Sequence, residues 1–354
     1  MTPLEERLVA RIAEAGPIPL DDFMRICLTD PEHGYYTTYT DPIGLQGDFV
    51  TGPEISQMFG EMLGVCIASC WAEQGRPERA VLAEFGPGRG TLMSDALRAA
   101  RVVPGFLDAV EVHFVEASPR LRAEQAAKVP NATWHDTPDT LPDLPFFLLA
   151  NEFFDALPIR QFMREGRAWV ECMIGLEDGK LAIQKSDPQP RKELAHRLAD
   201  TADGDIVEIS APSLAVAGQI GQRIATRGGA ALIVDYGGWR SLGDTLQAMS
   251  RHETVGVLQT PGQVDLTAHV DFEALARAAY PARHTRLETQ GAFLEKLGIT
   301  ARAEALAGRA ADEAQRNDIA IAHRRLTHPD QMGQLFKVLG LYPEGAAPPP
   351  GLDP

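Results

Sequence analysis

The sequence predicts an α/β fold, a mostly parallel sheet with helices on both faces, and three observations carry that expectation. Short apolar runs recur at 80–84, 112–116, 146–150 and 230–234. Segments of helical period stand between or beside them, at 91–100, 119–128 and 212–225. The runs close on polar groups: Glu84, Glu116, Asn151 with Glu152, and Asp235. Strand and helix in alternation imply parallel strands, because a parallel pair needs a crossover long enough to hold a helix. Ligands in such sheets gather at the carboxyl ends of the strands, where these polar groups stand.

The elements follow in order. Residues 1–15 place Leu4, Leu8 and Ile12 on one helical stripe, and 21–28 read as a second short helix. From 29 to 52 the chain turns polar and aromatic, with His33, Tyr35, Tyr36 and Asp48. Loops of that length are commonly functional, and this one is expected to form a lid. Thr51-Gly52-Pro53-Glu54 has the form of a capping box with proline in the first turn. It opens a helix whose stripe of Met58, Phe59, Met62, Leu63, Cys66 and Cys70 reads as core. Beyond the first two core strands, a third is expected near Trp134. Residues 168–184 break the rhythm and read as a hairpin turning at Asp178-Gly179. Ile206 to Ile209 reads as a further strand of the α/β frame. The C-terminal third reads as mostly helical from Asp271 to about Met332, closing on an edge strand at 335–342. The Pro- and Gly-rich stretch 346–354 is expected to be disordered.

The 354 residues are 44% hydrophobic, enough to bury a large core. A formal net charge of -16 argues against nucleic acid as a partner and permits a basic protein surface. Cys27, Cys66, Cys70 and Cys172 form no C-x-x-C pair, so neither a disulfide framework nor a metal site is expected. Free buried thiols, and an N-terminal segment bearing Glu5, Glu6 and Glu14, lead to the expectation of a cytoplasmic protein. No apolar run reaches bilayer length, so no membrane insertion is expected.

The chemistry centres on Glu84-Phe85-Gly86-Pro87-Gly88-Arg89-Gly90. Gly86 and Gly88 permit torsions and close approaches that a side chain would block. The helix after Gly90 offers free amides and the positive end of its dipole. A dinucleotide motif would place its third glycine one residue later. Here an acid also stands two residues before the first glycine, which suits a cationic cofactor such as S-adenosylmethionine, whose amino group Glu84 can face. The candidate cofactor residues are Glu84, Gly86, Gly88 and Gly90. With them go Glu116 for the ribose hydroxyls, Asp136 for the adenine amino group, and Asn151. Trp134 or His135 is a candidate to stack on the purine. The candidate catalytic residues are Glu152 at a strand end, Asp155, which also reads as a helix cap, Asp48 in the lid, and His269. His269 stands beside an expected helix start and reads equally as structural. Asp235-Tyr236-Gly237 faces the same edge, with turn chemistry as its other explanation.

At this point a family resemblance emerges. Residues 47–61 (GDFVTGPEISQMFGE) resemble the signature of MidA-type methyltransferases, and 84–92 (EFGPGRGTL), 151–159 (NEFFDALPI) and 264–272 (VDLTAHVDF) resemble its other landmarks. Gly52 departs from the serine expected there. The resemblance runs from His33 to beyond Phe272. It implies a class I methyltransferase fold of Rossmann-like type, S-adenosylmethionine as cofactor, and a partner protein whose accessible arginine is methylated. The implied product is symmetric dimethylarginine, and a respiratory complex I subunit is the implied partner, because the family includes a mitochondrial complex I assembly factor of this activity. The implied organisation is an N-terminal helical segment and lid at 1–75, a cofactor-binding core at 76–245 with an insertion near 160–205, a mostly helical part at 246–345 completing the core and substrate site, and the tail. Glu152 and Asp155 are the carboxylates suited to orient a guanidinium, a poor nucleophile whose lone pairs are delocalised. Two alternatives stand beside this reading. One is a non-catalytic scaffold that keeps the cofactor fold for shape. The other is a dinucleotide-dependent oxidoreductase, which the glycine spacing disfavours.

Overall fold

The structure is a computed structural model that describes residues 1–38, 51–250 and 253–354. Its main sheet is built from β1 (Ala80–Phe85), β2 (Val110–Val115), β3 (Thr133–His135), β4 (Phe146–Asn151), β5 (Gly229–Gly238) and β6 (Phe336–Tyr342). The order is β6-β5-β4-β1-β2-β3. The first five strands are mutually parallel, and β6 runs antiparallel to β5. The central strands β1 and β4 are apolar almost throughout because helices cover both faces. One face packs on Phe59, Leu63, Leu92 and Phe293, the other on Phe154, Ile220 and Phe272. Strand order reverses between β1 and β4, which opens a crevice at their carboxyl ends.

Several sequence expectations change. The capping box at Thr51 does not form: the Thr51 side chain makes no cap bond, and the long helix Gln57–Glu73 starts instead at Ser56, whose Oγ accepts from the Met58 amide at 3.2 Å. Glu54 is drawn elsewhere, accepting from Thr91 Oγ1 at 2.6 Å. A boundary at residue 75 is also wrong, since Gln57–Glu73 belongs to the core layer. A Cβ on its Gly64 would lie 2.4 Å from the Ala96 Cα, so this helix and Thr91–Ala100 meet backbone to backbone. Buried Glu61 holds the same layer together, pairing with Arg98 and Arg302.

Ile206–Ile209 is not a strand of the main sheet. It pairs with Arg160–Glu165 in a separate antiparallel sheet that also contains Ile18–Pro19, Ala168–Glu177 and Lys180–Lys185. The reason is Glu208: buried, it needs Gln161 Nε2 (2.8 Å) and the Thr245 amide (2.9 Å), partners an apolar central strand lacks. The hairpin turns at Asp178 (φ 51°) and Gly179 (φ 75°), the left-handed pair that matches strand twist. Strand β6 is no bare edge, because Arg283–His284 and Glu288–Thr289 pair along its outer side.

The 346–354 tail is packed rather than disordered. Leu352 is buried, Gly351 (φ 84°) lies against Phe293 and Leu297, and the Asp353 carbonyl accepts from the Arg286 amide at 2.8 Å. One apolar anchor in a stretch stiffened by proline is enough to dock it. Residues 39–50, which carry Asp48 and most of the expected lid, lie outside the described residues.

Candidate active site

The glycine loop follows β1 as a chain of left-handed residues. Gly86, Gly88 and Gly90 have φ of 61°, 51° and 73°, a region costly for any side chain. A Cβ on Gly86 would also press the Phe153 ring at 3.1 Å. The loop closes with the Gly90 amide donating to the Pro87 carbonyl at 2.7 Å. The helix after it has no side-chain cap at Gly90, and the Met93 amide of its first turn is turned toward Glu84. Glu84 is buried at the end of β1 and accepts from the Met93 amide, while its Oε2 has no partner. Burial, with Glu116 adding repulsion, pushes its carboxyl well above the usual range. An orphaned buried carboxylate oxygen beside a glycine cradle fits the ammonium end of S-adenosylmethionine.

Glu116 stands just past β2. Its Oε1 accepts from the Ser118 amide at 2.7 Å and its Oε2 from Gln125 Nε2 at 3.2 Å. Gln125 is wholly buried and also donates to the Gly88 carbonyl at 2.8 Å, so one amide ties the glycine loop to Glu116. Sequence reading passed over Gln125, although its place four residues after Leu121 on the buried face of 119–128 was a signal. Trp134 is held by its Nε1, which donates to Gln125 Oε1 at 2.7 Å, and by its ring's packing on Phe114. The His135 ring pairs with His113 at 2.9 Å. Asp136 lies at the rim, its side chain exposed and paired with Arg122.

The acceptor-side residues converge across β4 and β5. Asn151 donates from Nδ2 to Glu152 Oε1 at 2.9 Å, and its Oδ1 is buried without a partner. Glu152 has φ 50°, a left-handed conformation that is uncommon outside glycine and marks strain held by its surroundings. Its amide donates to the Val234 carbonyl at 2.9 Å, and its carboxylate accepts from the Gly52 amide. Burial, then Asp155, pushes the Glu152 carboxyl up to about 8. Asp155 caps no helix, because the chain only turns after β4. That turn is clamped by Asp235, whose Oδ2 accepts from the Phe154 and Asp155 amides at 3.0 and 3.2 Å. Burial raises the Asp155 carboxyl to about 6 and raises Asp235 as well. Among the described residues no Lys or Arg pairs with Glu152, Asp155 or Asp235. Asp265 adds to the negative field at Glu152, and Tyr36 donates to Asp265 at 2.9 Å. That Tyr36–Asp265 link spans 229 residues and could not be read locally.

His269 lies at the outer edge of this group. Its ring meets Tyr236 edge-on at 5.5 Å, and burial with Lys337 lowers its pKa. The neighbouring Asp271 is a helix cap, accepting from the Ala274 amide at 2.9 Å. No group of three or more His, Cys, Asp or Glu among the described residues is arranged to hold a metal ion, and no helix among them is long and apolar enough to cross a membrane.

A parallel sheet in this order, with a glycine cradle and acids at successive strand ends, defines a class I methyltransferase that uses S-adenosylmethionine. The chain belongs to the S-adenosyl-L-methionine-dependent methyltransferase family whose model matches residues 62–291. It is 34% identical to the protein arginine methyltransferase NDUFAF7, mitochondrial, of Homo sapiens, over 97% of this chain and 84% of that one. It is 35% identical to the Danio rerio protein of the same name, over 94% of this chain and 85% of that one. A crystal structure from Burkholderia thailandensis bound to S-adenosyl-homocysteine superposes with a TM-score of 0.82 at 30% identity, covering 99% of this chain and 92% of that one. These relatives correct the cytoplasmic expectation, since the curated ones are mitochondrial. Buried thiols suit any reducing compartment and never distinguished the two.

Proposed function

We propose that this methyltransferase acts on an arginine guanidinium of a partner protein, and that Glu152 and Asp155 orient that group. The observation that carries the reading is a carboxylate group, Asp155 and Asp235 buried and Glu152 half-buried, with no cation paired to it among the described residues. Like charges gathered out of water are costly, and a bound cation relieves the cost. A planar cation with several N–H groups suits carboxylates approaching from different directions. The names of the NDUFAF7 relatives support an arginine acceptor. A subunit of respiratory complex I is the partner proposed, with symmetric dimethylarginine as product.

In this proposal Glu84, Gly86, Gly88, Gly90 and Asn151 hold the methionyl part of the cofactor. Glu116 holds its ribose and Asp136 sits by the adenine. When bound, S-adenosylmethionine supplies an electrophilic methyl group on sulfur. The chain's part is alignment: Glu152 and Asp155 would hold a guanidinium nitrogen in line with the methyl group the cofactor would supply, and one of these carboxylates would take the proton that nitrogen gives up. Glu152 and Asp155 fix the nitrogen and keep positive charge on the remainder of the guanidinium. His269 is assigned to the rim of the acceptor site, and the further catalytic candidate, Asp48, lies outside the described residues.

The test is Glu152→Gln. S-adenosylmethionine affinity by calorimetry should stay within about threefold, while methyl transfer to protein arginine should fall roughly a hundredfold or more. Full transfer by the variant would remove Glu152 from the acceptor site.

A further inference from the structure

Tyr236, Asp155 and Thr267 come from three separate elements: the carboxyl end of β5, the turn after β4, and the strand Asp265–Thr267. All three residues are buried, at 7%, 6% and 2% exposure. Their polar atoms, Tyr236 Oη, Asp155 Oδ1 and Thr267 Oγ1, make no well-aligned hydrogen bond and have no partner outside this trio. The Tyr236 hydroxyl is nevertheless close enough to both others to interact with them. One orphaned polar atom in a folded core is costly, and three in one place are not a packing accident. The scaffold around them is tight. The Asp155 carbonyl accepts from the Ala268 amide at 2.9 Å, and Asp235 holds the Asp155 amide from the other side. The Tyr236 ring is wedged edge-on against His269 and Phe336, each at 5.5 Å between centroids. These groups are therefore preorganised and short of a ligand.

We propose that Tyr236 and Thr267 complete the acceptor subsite, with their hydroxyls and Asp155 Oδ1 receiving one N–H edge of the substrate guanidinium. The inference rests on the arginine reading above and adds the residues that select its geometry. A hydroxyl can accept from the incoming N–H while donating to Asp155, which holds that carboxylate ionised beside its acidic neighbours. Those neighbours are Glu152, Asp235, Asp265 and the phenols of Tyr36 and Tyr236 itself, with His269 and Lys337 beyond the Tyr236 ring. Tyr236 is thus both a contact to the acceptor and a positioning residue for Asp155.

Tyr236→Phe keeps the ring and removes one oxygen, and Thr267→Val keeps the shape of threonine. Transfer from labelled S-adenosylmethionine into methylarginine of a cell extract is measured across pH 6 to 9, beside Glu152→Gln. Tyr236→Phe should lower the rate roughly tenfold or more, leave cofactor affinity unchanged, and move the acid limb of the profile to higher pH, because a donor to Asp155 is gone. Thr267→Val should lower the rate without moving that limb. Wild-type rates and profiles in both variants, with Glu152→Gln inactive, would overturn this inference and leave the arginine reading standing. A slower Tyr236→Phe with an unmoved limb would reduce Tyr236 to a structural role and also overturn it. Wild-type activity in Glu152→Gln would defeat the arginine reading, and this inference with it.

Discussion

At the scale of single residues, the site depends on groups held in states they would avoid in water. Gly88 has φ 51°, which a β-branched side chain resists, so Gly88→Val should abolish S-adenosylmethionine binding by calorimetry while circular dichroism shows the fold retained. Unchanged affinity would remove the loop from the cofactor site. Glu152 supplies a pH test whose sign is fixed. Its folded pKa, about 8, lies above the ordinary glutamate value. Its contribution to stability is therefore full below the usual carboxylate range and is lost as pH rises through about 8. Unfolding free energy should fall more between pH 6 and 9 in the wild type than in Glu152→Gln, by an amount on the order of a few kcal/mol, read by urea unfolding. Equal falls would show that Glu152 is not held protonated. The glycine loop and the Asn151-Glu152 pair were legible in the sequence because their chemistry is local. The bonds of Gln125 to Gly88 and Glu116 and the Tyr36–Asp265 bond were not, because their partners are set only when distant elements meet.

At the scale of elements, periodicity located most helices and strands and misled where a polar residue or a glycine decided the packing. The helix Gln57–Glu73 read as core, yet nothing in its sequence said which core. Gly60 and Gly64 answer that, since they allow it to lie against Thr91–Ala100. Ile206–Ile209 had the right composition for the main sheet, but Glu208 needed Gln161 and Thr245. The tail misled in the opposite direction, because its composition concealed one anchor. Leu352 is 5% exposed, in one core cluster with Phe293 and against Gly340. Leu352→Ala should cost about 2 to 4 kcal/mol in urea unfolding, whereas a disordered tail would show no change.

At the scale of the whole molecule, alternating strand and helix sufficed for the parallel sheet, and the order of its strands brings Glu84, Glu116 and Glu152 to one edge. The net charge of -16 is consistent with a chain that draws in a basic partner. What the sheet does not specify is the acceptor, because one fold carries many methyl transfers. The central claim is that Glu152, Asp155 and Asp235, with no cation paired to them among the described residues, select a guanidinium. The most direct measurement is incubation of the protein with labelled S-adenosylmethionine and an extract of mitochondria, followed by fragmentation mass spectrometry of the labelled protein. The account requires the label on an arginine side-chain nitrogen, and its loss with Glu152→Gln. Label on lysine, on a carboxylate or on a small molecule, with arginine unmodified, would contradict it.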